Sequence, residues 1–120
     1  MIQTLCDTGP LLAIIDPKQG DSHRRCMEQL KLLQGKLLTT WPCVAEAMHL
    51  ADNIGGRPLQ KALWSLLSTV VFDIAMTEKA RGDRMDELMD RYQNVPMDFA
   101  DASLFVLAEG FRMPSHLYAR

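Results

Sequence analysis

Three short segments of apolar and β-branched residues are each followed by two segments with helical signals, and this order constrains the fold more than any other feature. The strand-like segments cover residues 2–6, 37–41 and 69–74. Their apolar residues are continuous rather than alternating, which is typical of strands that are buried on both faces. The order β-α-α-β-α-α-β-α-α therefore predicts an α/β domain with a short parallel sheet covered by helices on both faces.

Turn and capping residues set the expected helix boundaries. Thr8 is a candidate N-cap for a short helix over residues 10–15, and Gly35 ends a helix that begins at Asp21 or Ser22. Residues 16–20 form a predicted loop between these two helices. The remaining helices are predicted over 42–53, from Pro58 onwards, over 78–93 with Thr77 as its cap, and from Pro96 to Gly110.

Length and charge limit the organisation and the partners of the chain. Its 120 residues are enough for one domain over residues 1–120 that buries a real core. The formal net charge of −2 provides no global basic field for a nucleic acid. Any bound RNA or DNA therefore has to be held by a local patch and a metal ion.

Cysteine usage and hydropathy predict the compartment. The 3 cysteines, Cys6, Cys26 and Cys43, are odd in number and show no Cys-x-x-Cys spacing, so we interpret them as buried small hydrophobic residues in a reducing compartment. No apolar run approaches the roughly 18 residues of a membrane span. The N-terminus also lacks a charged segment followed by an apolar one, as a signal peptide would have. We therefore expect a cytoplasmic location.

Four carboxylates interrupt otherwise apolar segments: Asp7, Glu46, Asp98 and Asp101. No Lys or Arg lies beside any of them in sequence. A carboxylate buried in such surroundings costs several kcal/mol unless something pairs with it. A shared divalent cation is the simplest compensation, so the pattern predicts a metal-dependent enzyme.

The predicted topology brings these four acids together. Asp7 ends the first strand, and Glu46 lies about one turn into the helix that follows the second strand. Asp98 and Asp101 are three residues apart, hence on one face near the start of their helix. Ligands collect at the carboxyl ends of parallel strands. Oxygen ligands of this kind suit Mg²⁺ or Mn²⁺, ions that support in-line displacement at phosphorus.

Simpler interpretations exist for two of the acids. Asp7 taken alone is about as well explained as a helix cap as it is as a ligand. Asp98 alone is better explained as a helix N-terminal charge that the macrodipole favours. Glu46 and Asp101 are harder to explain in this way, because neither lies at a predicted terminus and both have small apolar neighbours.

With these residues in place, the chain resembles the PIN-domain ribonucleases of the VapC toxin type, a PilT N-terminus-like family. Residues 5–13 resemble the first acidic motif of the family, residues 38–46 the second and residues 96–104 the third. The resemblance implies a three-layer α/β/α fold and Mg²⁺- or Mn²⁺-dependent cleavage of RNA. It also implies a small cognate antitoxin protein and a homodimer. Asp7, Glu46 and Asp101 match the catalytic metal ligands of the family, and Asp98 matches an accessory acid.

The C-terminal part of the sequence departs from the family pattern. The family continues into a strand that ends in Thr-x-Asp and adds a fourth acid, whereas residues 110–120 contain no acid. Pro114 argues against a replacement strand, so we expect the last edge strand to be missing. Two functions remain open: a ribonuclease that the loss of the fourth acid weakens, and a catalytically silent PIN-fold module that binds an antitoxin or a homologous partner.

Overall fold

A parallel sheet lies at the centre of the molecule. The computed structural model describes residues 3–76, 79–92, 98–111 and 116–117. Within these residues the strands are β1 (Gln3–Cys6), β2 (Lys36–Thr40), β3 (Phe72–Ala75) and β4 (His116–Leu117), in the spatial order β3-β2-β1-β4. All the pairs are parallel, and Leu5 is in register with Leu38. The predicted α/β fold with a short parallel sheet is confirmed.

The edge of the sheet beside β1 carries a strand of two residues. His116 and Leu117 pair with Leu5 and Cys6. Within the described residues this edge carries a strand, which corrects the expectation that the last edge strand is missing. Pro114, which argued against a replacement strand, lies outside the described residues.

The helices follow the predicted order with shifted boundaries. They are α1 (Thr8–Ile15), α2 (Asp21–Lys31), α3 (Trp41–Leu67), α4 (Gly82–Arg91) and α5 (Phe99–Phe111), together with 3₁₀ helices at Pro17–Gln19 and Lys79–Arg81. Thr8 is the first residue of α1 and not its cap, because Asp7 occupies the N-cap position. The predicted cap Thr77 and the predicted first residue of the last helix, Pro96, lie outside the described residues.

The two helices predicted between β2 and β3 are the halves of the kinked helix α3. Gly56 interrupts the helical backbone with a φ of 68°, a left-handed conformation that glycine adopts without strain. Trp41, predicted in a strand, instead begins α3, because the Thr40 side chain caps this helix by accepting from the Cys43 amide at 3.3 Å. None of the described helices is long and apolar enough to cross a membrane.

Side chains on successive residues of the central strands enter opposite faces of the sheet. Cys6 and Leu37 belong to a core cluster formed with α1 and α3, whereas Leu5 and Leu38 belong to a cluster formed with α5. A further cluster packs α4 onto α5 through Met85, Leu88, Ala102 and Val106. Cys6, Cys26 and Cys43 are all buried, as predicted. The result is three layers, with helices on both faces of the sheet.

Candidate functional site

All four predicted acids line one cleft at the carboxyl edge of the sheet. The cleft has a volume of about 210 Å³, and its walls are formed by Asp7, Thr8, Gly9, Leu12, Glu46, Leu50, Asp98 and Asp101. These residues come from β1–α1, α3 and the start of α5, so the topology unites three distant segments. No Lys or Arg is among the described residues that line it.

Asp7 is the most buried of the four acids. It follows the last residue of β1, and its side chain is only 4% exposed. Its Oδ1 accepts a hydrogen bond from the Thr8 amide at 2.6 Å and a weak one from the Cys43 thiol at 3.8 Å. Asp7 therefore caps α1 and lines the cleft at the same time, and the two interpretations open from sequence are compatible.

Thr8 connects Asp7 to Glu46, and sequence reasoning did not identify it as a site residue. Its hydroxyl lies 3.2 Å from Glu46 Oε2 and 3.3 Å from the Cys43 carbonyl oxygen. A threonine hydroxyl has one hydrogen, so Thr8 shares it between these two acceptors. The sequence signal was a hydroxyl directly after the strand-ending acid, which we interpreted as a cap and turn residue.

Glu46 is half-buried and lies in the electric field of the other three acids. Burial raises the pKa of this carboxyl, and the negative charge of Asp98 raises it further. The hydrogen bond from Thr8 opposes this rise in the pKa, while the charges of Asp7 and Asp101 add smaller increases. The cleft therefore concentrates negative charge. Because like charges in one site disfavour the charged forms of their neighbours, the Glu46 carboxyl loses its proton less readily than an isolated glutamate.

Asp98 and Asp101 form a reciprocal cap at the start of α5. The Asp101 amide donates to Asp98 Oδ1 at 2.9 Å, and the Asp98 amide donates to Asp101 Oδ2 at 3.4 Å. This is the capping-box arrangement, with Asp in place of the usual Glu. The cap interpretation of Asp98 is thus supported, while its carboxylate also lines the cleft.

The four acids differ in burial, and Glu46 and Asp101, which we expected to be buried among apolar neighbours, are less buried than expected. Asp98 is exposed, and Glu46 and Asp101 are half-buried. Their apolar neighbours Ala47, Ala100 and Ala102 are buried, so the helices turn those residues toward the core and the acids toward the cleft. What favours a cation in this cleft is therefore the negative charge that the four acids share, and not their deep burial.

The donor set fits a hydrated divalent cation. Among the described residues, no three Asp, Glu, His or Cys side chains are grouped closely enough to hold an ion directly in this arrangement. Mg²⁺ keeps several waters and is commonly bound through one or two carboxylates and the substrate phosphate. Carboxylates around an open cleft, with no lining Lys or Arg to neutralise them, match that mode of binding.

Comparisons with known proteins give a structural match without a sequence match. No family model and no curated protein matches the chain. The solved structure of VapC20 from Mycobacterium tuberculosis, described as a sarcin–ricin loop cleaving toxin, matches with a TM-score of 0.87 at 13% identity. The match covers 98% of this chain and 89% of that one. At this identity the match shows a shared fold, so the chain has a PIN-like fold similar to that of VapC20.

Proposed function

We propose that this chain is a divalent-metal-dependent endoribonuclease of the VapC toxin type. The observation that carries the proposal is the cleft, in which Asp7, Glu46, Asp98 and Asp101 meet without a lining Lys or Arg. The fold that the chain shares with VapC20 is a second, independent support for the proposal. At 13% identity this match concerns the fold and not the activity. A carboxyl group with a raised pKa in a cleft, as Glu46 has, is typical of functional sites.

In this proposal Asp7, Glu46 and Asp101 hold a hydrated Mg²⁺ or Mn²⁺, in part through the waters that the ion keeps, and Asp98 is an accessory acid. A bound ion of this kind lowers the pKa of water and offsets charge on a phosphate. Thr8 orients the Glu46 carboxylate through its hydroxyl, at 3.2 Å. Asp98 orients the Asp101 backbone through the cap hydrogen bond at 2.9 Å.

The charge of the cleft explains why the substrate requires the ion. Four carboxylates repel the phosphates of RNA unless a cation stands between them. The family resemblance implies RNA as the substrate, and we propose that the metal ion links the RNA phosphates to the acids of the cleft. The family resemblance extends the proposal to a small cognate antitoxin, a homodimer and a cytoplasmic location.

The second candidate is a catalytically silent PIN-fold module that binds an antitoxin or a homologous partner. The observation that favours it is that residues 110–120 contain no Asp or Glu, in the part of the sequence where the family resemblance implies a fourth acid. A site with fewer carboxylates is expected to bind Mg²⁺ more weakly, because this ion gives up its waters reluctantly. The two candidates differ in whether the cleft still binds a metal ion.

Calorimetric titration with Mn²⁺ and Mg²⁺ tests the proposal. We expect binding in the micromolar to low-millimolar range that is lost in Asp101→Asn. Asp86→Asn is the matched control, because Asp86 is an exposed acid of α4 outside the cleft. RNA cleavage should follow the same order among the three proteins. Absence of metal binding in the wild type would overturn the proposal and favour the silent module.

A further inference from the structure

Two buried hydroxyl groups connect the β2–α3 junction to α5. Thr40 Oγ1 lies 2.7 Å from Ser103 Oγ, and both residues are 1% exposed. The Cys43 amide donates to Thr40 Oγ1 at 3.3 Å, and the Ser103 hydroxyl donates to the Ala100 carbonyl at 2.7 Å. Because each hydroxyl has one hydrogen, Ser103 uses its own on Ala100, and the Thr40 hydroxyl is therefore the donor to Ser103.

This hydrogen-bond chain ends on the peptide group that carries Asp101. The Ala100 carbonyl accepts from Ser103, and the Cys43 thiol shares its one hydrogen between this carbonyl at 3.7 Å and Asp7 Oδ1 at 3.8 Å. The amide on the other side of the same peptide belongs to Asp101 and donates to Asp98 Oδ1 at 2.9 Å. The peptide plane next to the Asp101 Cα is thus held on both sides, by hydroxyls on one and by an acid of the cleft on the other.

We infer that Thr40 and Ser103 are positioning residues, and that their hydroxyl bridge fixes the acidic first turn of α5 against the first turn of α3. The bridge sets where Asp101 lies relative to Glu46, which is in the second turn of α3 after the cap residue Thr40. Neither residue lines the cleft, so both act through the backbone of α5. The inference rests on the proposed function in one respect, namely that the positioned acids bind Mn²⁺ or Mg²⁺.

Removal of either hydroxyl tests this inference. Thr40→Val keeps the shape of the side chain and Ser103→Ala favours the helix, so both proteins are expected to fold. We expect each variant to weaken Mn²⁺ binding about 10-fold, at the lower end of the range for residues that support metal ligands. Thr40→Val also removes the cap of α3, whereas Ser103→Ala breaks the bridge alone. The double variant should therefore bind Mn²⁺ no more weakly than Thr40→Val does. Thr40→Ser, which restores a hydroxyl, should regain wild-type affinity.

Thr39→Val is the matched control. Thr39 precedes Thr40 in β2 and is 0% exposed, and its hydroxyl takes no part in the bridge between Thr40 and Ser103. The substitution is chemically the same and equally buried, but it leaves the bridge intact. We expect unchanged Mn²⁺ affinity. If Thr39→Val weakened Mn²⁺ binding as much as Thr40→Val does, the loss would be explained by altered packing in β2. That result would overturn the inference.

Amide hydrogen exchange in the metal-free protein separates this inference from the proposed function. In Ser103→Ala, which leaves the cap of α3 in place, loss of the bridge should speed exchange at the Asp101 amide, with α2 and α4 unchanged. If the wild type binds no Mn²⁺ but Ser103→Ala shows this local change, the proposed function fails and the positioning role stands. If the wild type binds Mn²⁺ and the bridge variants bind it equally well, the positioning role fails and the proposed function stands. Unchanged exchange in a protein that binds no metal overturns both.

Discussion

Two regions of the molecule are rich in carboxylates, and they shift the pKa of a glutamate in opposite directions. On the surface between α4 and α5, Arg84 donates to both oxygens of Glu109 at 3.0 and 2.8 Å and pairs with Glu87 at 2.9 Å. Hydrogen bonds from Arg84 hold the pKa of Glu109 below its usual value. In the cleft, burial and the charge of Asp98 instead raise the pKa of Glu46.

The difference teaches where the fold leaves charge uncompensated. The α4–α5 surface contains its own cations, as structural ion pairs do, and its acids are stabilised in the charged form. The cleft has four acids and no lining Lys or Arg. A cation from solution would stabilise the cleft and would do little at the α4–α5 surface. Matched glutamates, one in each region, therefore provide direct tests.

The largest expected difference between the two regions is in RNA cleavage. Glu46→Gln removes a residue that is proposed to hold the metal ion and to orient the attacking water. The cleavage rate should fall by about 100-fold or more, the size typical for loss of a group that assists proton transfer. Glu109→Gln should leave the rate unchanged. Both are measured as initial rates on the same RNA at fixed Mn²⁺. Equal loss in the two variants would mean that the cleft has no special role.

Metal addition should stabilise the protein through the cleft alone. A ligand at 100 times its Kd that binds only the folded state adds about 2.7 kcal/mol to the free energy of unfolding. Thermal unfolding with Mn²⁺ at that ratio should show the corresponding rise in Tm, and a chelator should reverse it. The rise should persist in Glu109→Gln and disappear in Asp101→Asn. A metal-induced rise in Asp101→Asn would place the ion elsewhere.

The pH dependence of stability should have opposite signs in the two regions. Because the folded-state pKa of Glu46 is raised above 4.5, the folded protein retains a proton that the unfolded chain has lost, and stability falls as the pH rises through that window. Glu46→Gln without metal should therefore be more stable than the wild type above the raised pKa and no more stable well below 4.5.

Glu109 should behave in the reverse way. Its lowered pKa means that its contribution is present above the usual glutamate value and is lost as the pH falls through the folded-state pKa. Urea unfolding of both variants and the wild type from about pH 3 to about pH 8 measures the two signs. A stability difference for Glu46→Gln that is constant with pH would contradict the charge crowding in the cleft.

The sequence predicted which acids share a site because topology alone brings them together. Asp7 and Glu46 follow parallel strands, and the ends of such strands lie at one edge of the sheet. The extent of their burial could not be predicted, since it depends on which side of each helix faces the core. The same limit explains Thr8, whose partner Glu46 is 38 residues away in the chain.

The errors at helix and strand ends have a local cause. Trp41 suits a strand by composition, yet the Thr40 side chain caps the Cys43 amide and begins α3 one residue earlier than predicted. Thr69 also suits a strand, but its hydroxyl donates to the Leu66 carbonyl at 2.8 Å and stays in the turn before β3. Threonine competes for both roles because its hydroxyl can bond to nearby backbone.

The smallest expected effect is that of Arg84→Gln. The substitution removes the cation from Glu87 and Glu109, so the pKa of Glu109 should rise toward its usual value. Exposed ion pairs contribute little and are screened by salt, so the urea midpoint should fall slightly at low salt and match the wild type in 1 M salt, where the Debye length is about 3 Å. RNA cleavage and Mn²⁺ affinity should not change. A change in either would show that the α4–α5 surface and the cleft are coupled, since α5 carries Glu109 at one end and Asp101 at the other.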